Sequence, residues 1–218
     1  MCRKPVCEQS RIGAKTPPRS MALRAFHCNP CLGGFGGESS GAWSDRDQSD
    51  AFAQIVKELV DNAVDACSAA KHNGGDKKRV RVTLAEDVSS SNACLLTVSD
   101  NGCGMSNIQA CVDAFSSTKT KQTAGRYGIG LTLCLLHAQR LVPGSKATIT
   151  SGAKRSKQFV RASFLVDTDK DKIKCVQEEK LPKTVKGESG TTVSLVLPVS
   201  FSHWRPSVPK VLSSLAGR

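Results

Sequence analysis

The sequence predicts a mixed α/β domain of helices and strands. Three observations predict it: a long amphipathic helix near residue 50, a pair of alternating strands after it, and an apolar helix followed by more strands. A chain of 218 residues can hold one such domain with tails. Its 39% hydrophobic content supplies a core, and aromatics are few at 5%. No apolar run is long enough to span a bilayer, so no membrane partner is expected. The formal net charge of +12 favours anionic partners such as nucleic acid or nucleotide phosphates, without choosing among them.

Residues 1–45 read as a basic, Gly/Pro-rich tail that cannot bury enough surface to order itself. Arg3, Lys4, Arg11, Lys15, Arg19 and Arg24 face one acid, Glu8, before Glu38. A tail of this kind also resembles an organelle transit peptide; a nuclear location is the other expectation. Ten cysteines are many, yet Cys67, Cys94, Cys111 and Cys134 lie singly in apolar segments and read as small buried hydrophobes. Cys28-Asn-Pro-Cys31, with Cys2 and Cys7 upstream, has zinc-site spacing but no matched second pair.

The first helix is expected over Asp50–Lys71, ended by His72-Asn73-Gly74-Gly75. Phe52, Ile55, Val56, Leu59, Ala63 and Cys67 form its apolar stripe. Glu58, Asn62 and Asp65 form a second stripe at i, i+4 and i+7, with Lys57 the only base among them. Hard oxygen ligands on one stripe suit Mg²⁺, and a free carboxylate beside them suits a general base. A solvated acidic face is the alternative.

Arg79–Ala85 alternates as a strand, and Cys94–Ser99 is its expected hairpin partner. Cys94, Leu96 and Val98 share a face, and parity puts Asp100 on it too. A carboxylate thus arrives at the end of a buried face, where a lone charge is costly unless hydrogen-bonded. Asp100-Asn101-Gly102-Cys103-Gly104-Met105 follows, readable as a tight turn or as a backbone that a ligand can approach. A short helix is expected over Ser106–Phe115, then a polar, mobile loop over Ser116–Ala124. Gly125-Arg126-Tyr127-Gly128-Ile129-Gly130 opens an apolar helix, Leu131–Leu141. Free amides at such a start can hold an anion, although the order of glycines is neither a dinucleotide fingerprint nor a Walker loop.

Strands are expected over Ala147–Ser151, Phe159–Val166 and Gly190–Leu197. The charged stretch 167–190 reads as a loop with an apolar piece at Ile173–Val176, and a turn of helix is expected at Val208–Leu215.

In this order, the Glu-Asn-Asp helix, Asp-x-Gly-x-Gly after a strand, a glycine loop before a helix and Gly-Thr opening a strand resemble the four boxes of the GHKL ATPases. That family includes gyrase-type topoisomerases, the ninety-kilodalton heat-shock chaperone, sensor histidine kinases and MutL. Phe115-Ser-Ser-Thr-Lys119, and the glycine loop running into Leu135-Leu-His-Ala-Gln139, most resemble the B subunit of DNA topoisomerase VI. The resemblance spans about Asp50–Leu197. It implies a two-layer α/β sandwich, the Bergerat fold, with helices on one face of a mixed, mostly antiparallel sheet. The domain is expected over 46–200, and 201–218 is a tail or the start of a transducer region.

The resemblance implies ATP and Mg²⁺ as ligands. Glu58 resembles the general base, Asn62 the Mg²⁺ ligand and Asp100 the reader of adenine, supported by Thr191 through a water. Gly102, Gly104 and Met105 would lie near the base. Ser117, Lys119, Gly125, Arg126, Tyr127, Gly128, Ile129 and Gly130 would wrap the phosphates. Asp65 more often secures the helix. The implied partners are a topoisomerase VI A-type subunit, double-stranded DNA and, in a full-length protein, a second copy recruited by ATP. The chain ends near where the family's transducer lysine would follow. A fragment or a stand-alone domain is expected, with slow turnover, a largely monomeric state and weak, salt-sensitive DNA binding. Another GHKL ATPase, MutL-like or kinase-like, and a catalytically weak nucleotide-binding regulator are the alternative functions.

Overall fold

The computed structural model describes residues 45–70, 77–86, 93–113, 129–170, 172–185 and 187–198, with 209 and 213 (backbone alone for 45–49). The tail, the Cys28–Cys31 pair, the loop expected over Ser116–Ala124 and nearly all of the C-terminal turn lie outside the described residues.

Helix α1 spans Asp45–Ala69. Its predicted stripe is buried: Phe52, Ile55, Val56, Leu59, Ala63 and Cys67 all lie in the core, with Val60 beside them. Strands β1 (Val80–Glu86) and β2 (Ala93–Asp100) form the expected antiparallel hairpin, Val82 opposite Val98 and Leu84 opposite Leu96. Helix α2 is shorter than its pattern, Ile108–Val112. Asn107 caps it, accepting from the Ala110 amide at 3.0 Å, and Asp113 is extended, which stops the helix. Helix α3 spans Gly130–Leu141 and is buried from Leu131 through Ala138. Thr132 Oγ1 donates to the Val112 carbonyl at 2.6 Å, which ties the end of α2 to α3.

Strands β3 (Ala147–Gly152), β4 (Gln158–Asp167), β5 (Lys172–Pro182) and β6 (Gly190–Pro198) complete a six-stranded sheet of order β1-β2-β6-β3-β4-β5. The expected two-layer, mostly antiparallel architecture holds; every pairing among the described residues is antiparallel. β5 corrects the sequence reading, which had a loop over 167–190. Among the described strands it is an edge strand paired with β4 alone, and of its residues only Ile173 is buried. A register shift at Ser163/Phe164 breaks its alternation as well, so neither face shows a period-two signal.

α1 packs on β1, β2 and β6, and α3 packs on β3, β4 and β6 and against α1. The covered face carries Cys94, Leu96 and Val98 of β2, Val193, Leu195 and Leu197 of β6, Ile149 of β3, and Phe164 and Val166 of β4. The other face carries hydroxyls, with Thr97 and Ser194 3.0 Å apart and Thr148 and Ser163 3.3 Å apart.

Candidate functional site

The site is the last row of the covered face. Asp100 of β2 pairs in register with Thr191 of β6, and Thr191 pairs with Ser151 of β3. Non-local pairings therefore bring a carboxylate and two hydroxyls side by side where the apolar rows end. Asp100 Oδ1 accepts from the Gly102 amide at 2.7 Å. Burial pushes the Asp100 carboxyl above its ordinary value, opposed by the Gly102 and Thr191 amides that favour the charged form.

Ser151 joins the strands to the loop after Asp100. Its Oγ accepts from the Met105 amide at 2.8 Å and lies 3.0 Å from the Gly190 carbonyl and 2.8 Å from Thr191 Oγ1. Asn101 closes the other side of that loop. Its Oδ1 accepts from the Arg79 amide at 2.7 Å and its Nδ2 donates to the Lys77 carbonyl at 2.9 Å. Gly104 has φ +70° and its Cα faces the Gly152 carbonyl of β3 too closely for a side chain. A β-carbon on Gly102 would come within 2.5 Å of the Ala66 carbonyl carbon of α1. Both glycines thus let the loop lie close on this chain's own backbone, as the tight-turn reading of the segment allows.

The second part of the site lies on α1. Gln54 Nε2 donates to Glu58 Oε1 at 2.9 Å, one helical turn away. Lys57 Nζ lies 3.0 Å from Asp61 Oδ2 and 3.6 Å from Glu58 Oε1. The other carboxylate oxygen, Oε2, rests against Gly130, the first residue of α3, in the space a β-carbon would enter. Ile129 precedes α3, and its carbonyl accepts the first helical bond from the Leu133 amide at 2.9 Å. Asn62 is half-buried on α1, one turn after Glu58.

Of the predicted residues, Asp100, Gly102, Gly104, Met105 and Thr191 lie at the strand ends and the loop after them, and Glu58, Asn62, Ile129 and Gly130 lie on α1 and at the start of α3. Ser117, Lys119, Gly125, Arg126, Tyr127 and Gly128 lie outside the described residues. Sequence reasoning missed Gln54 and Ser151. Both carried a signal: Gln54 sits at i−4 from Glu58, and Ser151 ends a buried strand face by the parity that singled out Asp100. A cavity of about 230 Å³ at the far end of α3, lined by Leu136, Gln139, Arg140, Pro143, Gly144 and Thr168, holds none of the predicted site residues.

No group of three or more His, Cys, Asp or Glu side chains among the described residues could hold a metal ion. The donor set does fit Mg²⁺ carried by a nucleotide, because such an ion takes one or two protein oxygens and completes its shell with phosphate oxygens and water. The Asn62 amide oxygen is a donor of the kind that would suit such an ion.

Residues 47–200 match the family of histidine kinase-, DNA gyrase B-, and HSP90-like ATPases. The chain is 30% identical over 147 residues to the B subunit of type 2 DNA topoisomerase 6 from Thermococcus kodakarensis, covering 65% of this chain and 24% of that protein. It is 26% identical over 178 residues to the protein of the same name from Metallosphaera sedula, covering 79% of this chain and 30% of the relative. The chain therefore spans under a third of the length of these curated relatives. Among solved structures it is similar to the ATPase and transducer domains of DNA topoisomerase II from Balamuthia mandrillaris, with a TM-score of 0.52 at 12% identity, over 87% of this chain and 50% of that one. The match spans well over half of the sequence, and the fold agrees with it: the chain belongs to the histidine kinase-, DNA gyrase B-, and HSP90-like ATPases.

Proposed function

We infer that the chain binds ATP with Mg²⁺ and hydrolyses it as the ATPase part of a type IIB DNA topoisomerase, together with an A-type subunit that cuts the duplex. The observation that carries the reading is the register that sets Asp100 beside Thr191 at the open end of the covered face, with Glu58 resting at the start of α3. An ionised Asp100 accepts from the exocyclic amine of adenine, and guanine has no donor at that place. The start of α3 faces the phosphates, where free amides and the helix dipole favour negative charge. Asn62 would hold Mg²⁺ through its amide oxygen, and the ion would draw charge from the phosphates. Glu58 takes a proton from water as its oxygen attacks the γ-phosphorus, and ADP leaves with the bridging oxygen. Ser117, Lys119, Gly125, Arg126, Tyr127 and Gly128 complete the phosphate contacts.

Two variants test the roles. Glu58→Ala is expected to keep Mg-ATP binding and to lose about 10²–10⁴ in turnover. Asn62→Ala is expected to weaken Mg-dependent binding. Loss of binding in Glu58→Ala with an unaffected Asn62→Ala would reverse the two assignments. The DNA role is supported by the similarity to the B subunit of topoisomerase 6 and by the +12 charge. Duplex-stimulated turnover in the presence of an A-type subunit tests it.

A further inference from the structure

Ser151 ends the covered face of β3 at 1% exposure. Its hydroxyl has one hydrogen and two lone pairs. The Met105 amide takes one lone pair, at 2.8 Å. The single hydrogen has two acceptors in reach, the Gly190 carbonyl at 3.0 Å and Thr191 Oγ1 at 2.8 Å. If it goes to Gly190, Thr191 must turn its own hydrogen toward Ser151. If it goes to Thr191, the Thr191 hydrogen is released toward whatever lies beside Asp100. The direction of one proton on Ser151 therefore decides whether Thr191 presents a donor to the site.

We propose that Ser151 is a specificity-determining positioning residue: with nucleotide bound it donates to Thr191 and so holds the Thr191 hydroxyl as a hydrogen-bond donor toward the base. The proposal rests on the reading of this site as an adenine site. Adenine presents an amine donor and, next to it, the N1 acceptor. An ionised Asp100 can only accept and matches the amine, and a Thr191 held as donor matches N1, directly or through a water. Guanine presents the reverse, O6 as acceptor and N1–H as donor, so both positions mispair. A Thr191 free to turn would forgive half of that mismatch. The same Ser151 oxygen holds the Met105 amide, so the loop after Asp100 and the donor at Thr191 are set by one atom.

The test uses the full chain with Ser151→Ala and Ser151→Cys, and calorimetry with Mg-ATP, Mg-GTP and the Mg complex of 1-deaza-ATP, in which N1 is a C–H. The parent is expected to bind ATP about tenfold tighter than the deaza analogue, the worth of one hydrogen bond. Ser151→Ala is expected to weaken ATP about tenfold while leaving the deaza analogue within about twofold, and to narrow the preference for ATP over GTP. Ser151→Cys, which keeps the side chain's volume but donates poorly, is expected to do the same and decides the matter if the alanine variant does not fold. Equal weakening of ATP and the deaza analogue would show that Ser151 only packs, and would overturn the proposal alone. A parent that binds ATP and GTP alike would overturn the adenine reading and this proposal with it.

Discussion

Glu58 and Gly130 share one contact: a carboxylate oxygen from α1 fills the space beside the first Cα of α3. A methyl group at residue 130 must push that oxygen aside. The displaced atom is the end of a flexible side chain, so the cost to folding is small, and replacing a helical glycine recovers backbone entropy. Gly130→Ala is therefore expected to melt close to the parent while turnover falls about a hundredfold, since a base misplaced by an ångström no longer meets its water. Turnover measured beside a melting curve checks it. Unchanged turnover would mean that Glu58 does not act from this position.

Asp100→Asn separates binding from stability in the other direction. Its Oδ1 can still accept from the Gly102 amide, and the buried charge is gone. The nucleotide-free variant is expected to melt no lower than the parent at neutral pH. It is also expected to lose about tenfold or more in ATP affinity, because a buried acceptor becomes in part a donor. Melting with and without Mg-ATP reads both effects. A lower melting point with an intact ATP-induced shift would contradict the role given to Asp100.

The raised Asp100 carboxyl predicts how binding follows pH. Above its folded-state pKa the group is ionised and accepts from the amine; below it the group is protonated and does not. ATP affinity is expected to fall on acidification, beginning at a pH above the ordinary carboxylate range. The stability term has the opposite sign. A raised pKa means that Asp100 favours the fold below its ordinary value and that this contribution is lost as pH rises through the raised value. Calorimetry from pH 7 to pH 4 checks the binding arm; a flat affinity down to about pH 4 would sink it.

His137 sets a second pH dependence. Buried on α3, its imidazole is pushed down to about 4, by burial first and then by the charge of Arg140. It is neutral in the fold, so its contribution is present above its ordinary pKa of 6.5 and is lost as pH falls through about 4. Over that window the loss is on the order of 3 kcal/mol. His137→Gln is expected to flatten the acid side of the stability curve. Denaturant unfolding of both proteins at pH 7 and pH 4.5 measures the slope.

Local pattern and non-local register divide what the sequence showed. The stripe on α1, the β1–β2 hairpin and the apolar α3 were legible because each buries one face and repeats at its own period. Asp100 was legible for the same reason, as the odd polar residue at the end of an apolar face. Its neighbours were legible only in part: the family resemblance named Thr191, and no pattern named Ser151. Ser151 and Thr191 reach it only through the β2–β6 and β3–β6 pairings, between strands about 90 and 40 residues apart in sequence, and single-strand patterns do not encode register between strands. β5 was hidden because an edge strand with Lys and Glu on both faces has no alternation to read. The glycines at 102 and 104 stayed open between a tight turn and room for a ligand, because the sequence shows only the missing side chain, not which neighbour lies beside it.

The strand order β1-β2-β6-β3-β4-β5 also dictates when the protein can become itself during synthesis. Of the described strands the last in sequence, Gly190–Pro198, lies in the middle of the sheet, between the hairpin made first and the three strands made next. Until it leaves the ribosome, the nascent chain is two separate half-sheets, each showing an unpaired inner edge. Pairings this distant also close slowly. A chain stopped at residue 189 would carry Glu58, Asn62 and Asp100 and yet lack Thr191, the neighbour that Asp100 meets on the strand that follows. Such a truncated chain should remain bound to chaperones, and adding the missing strand as a peptide should release it.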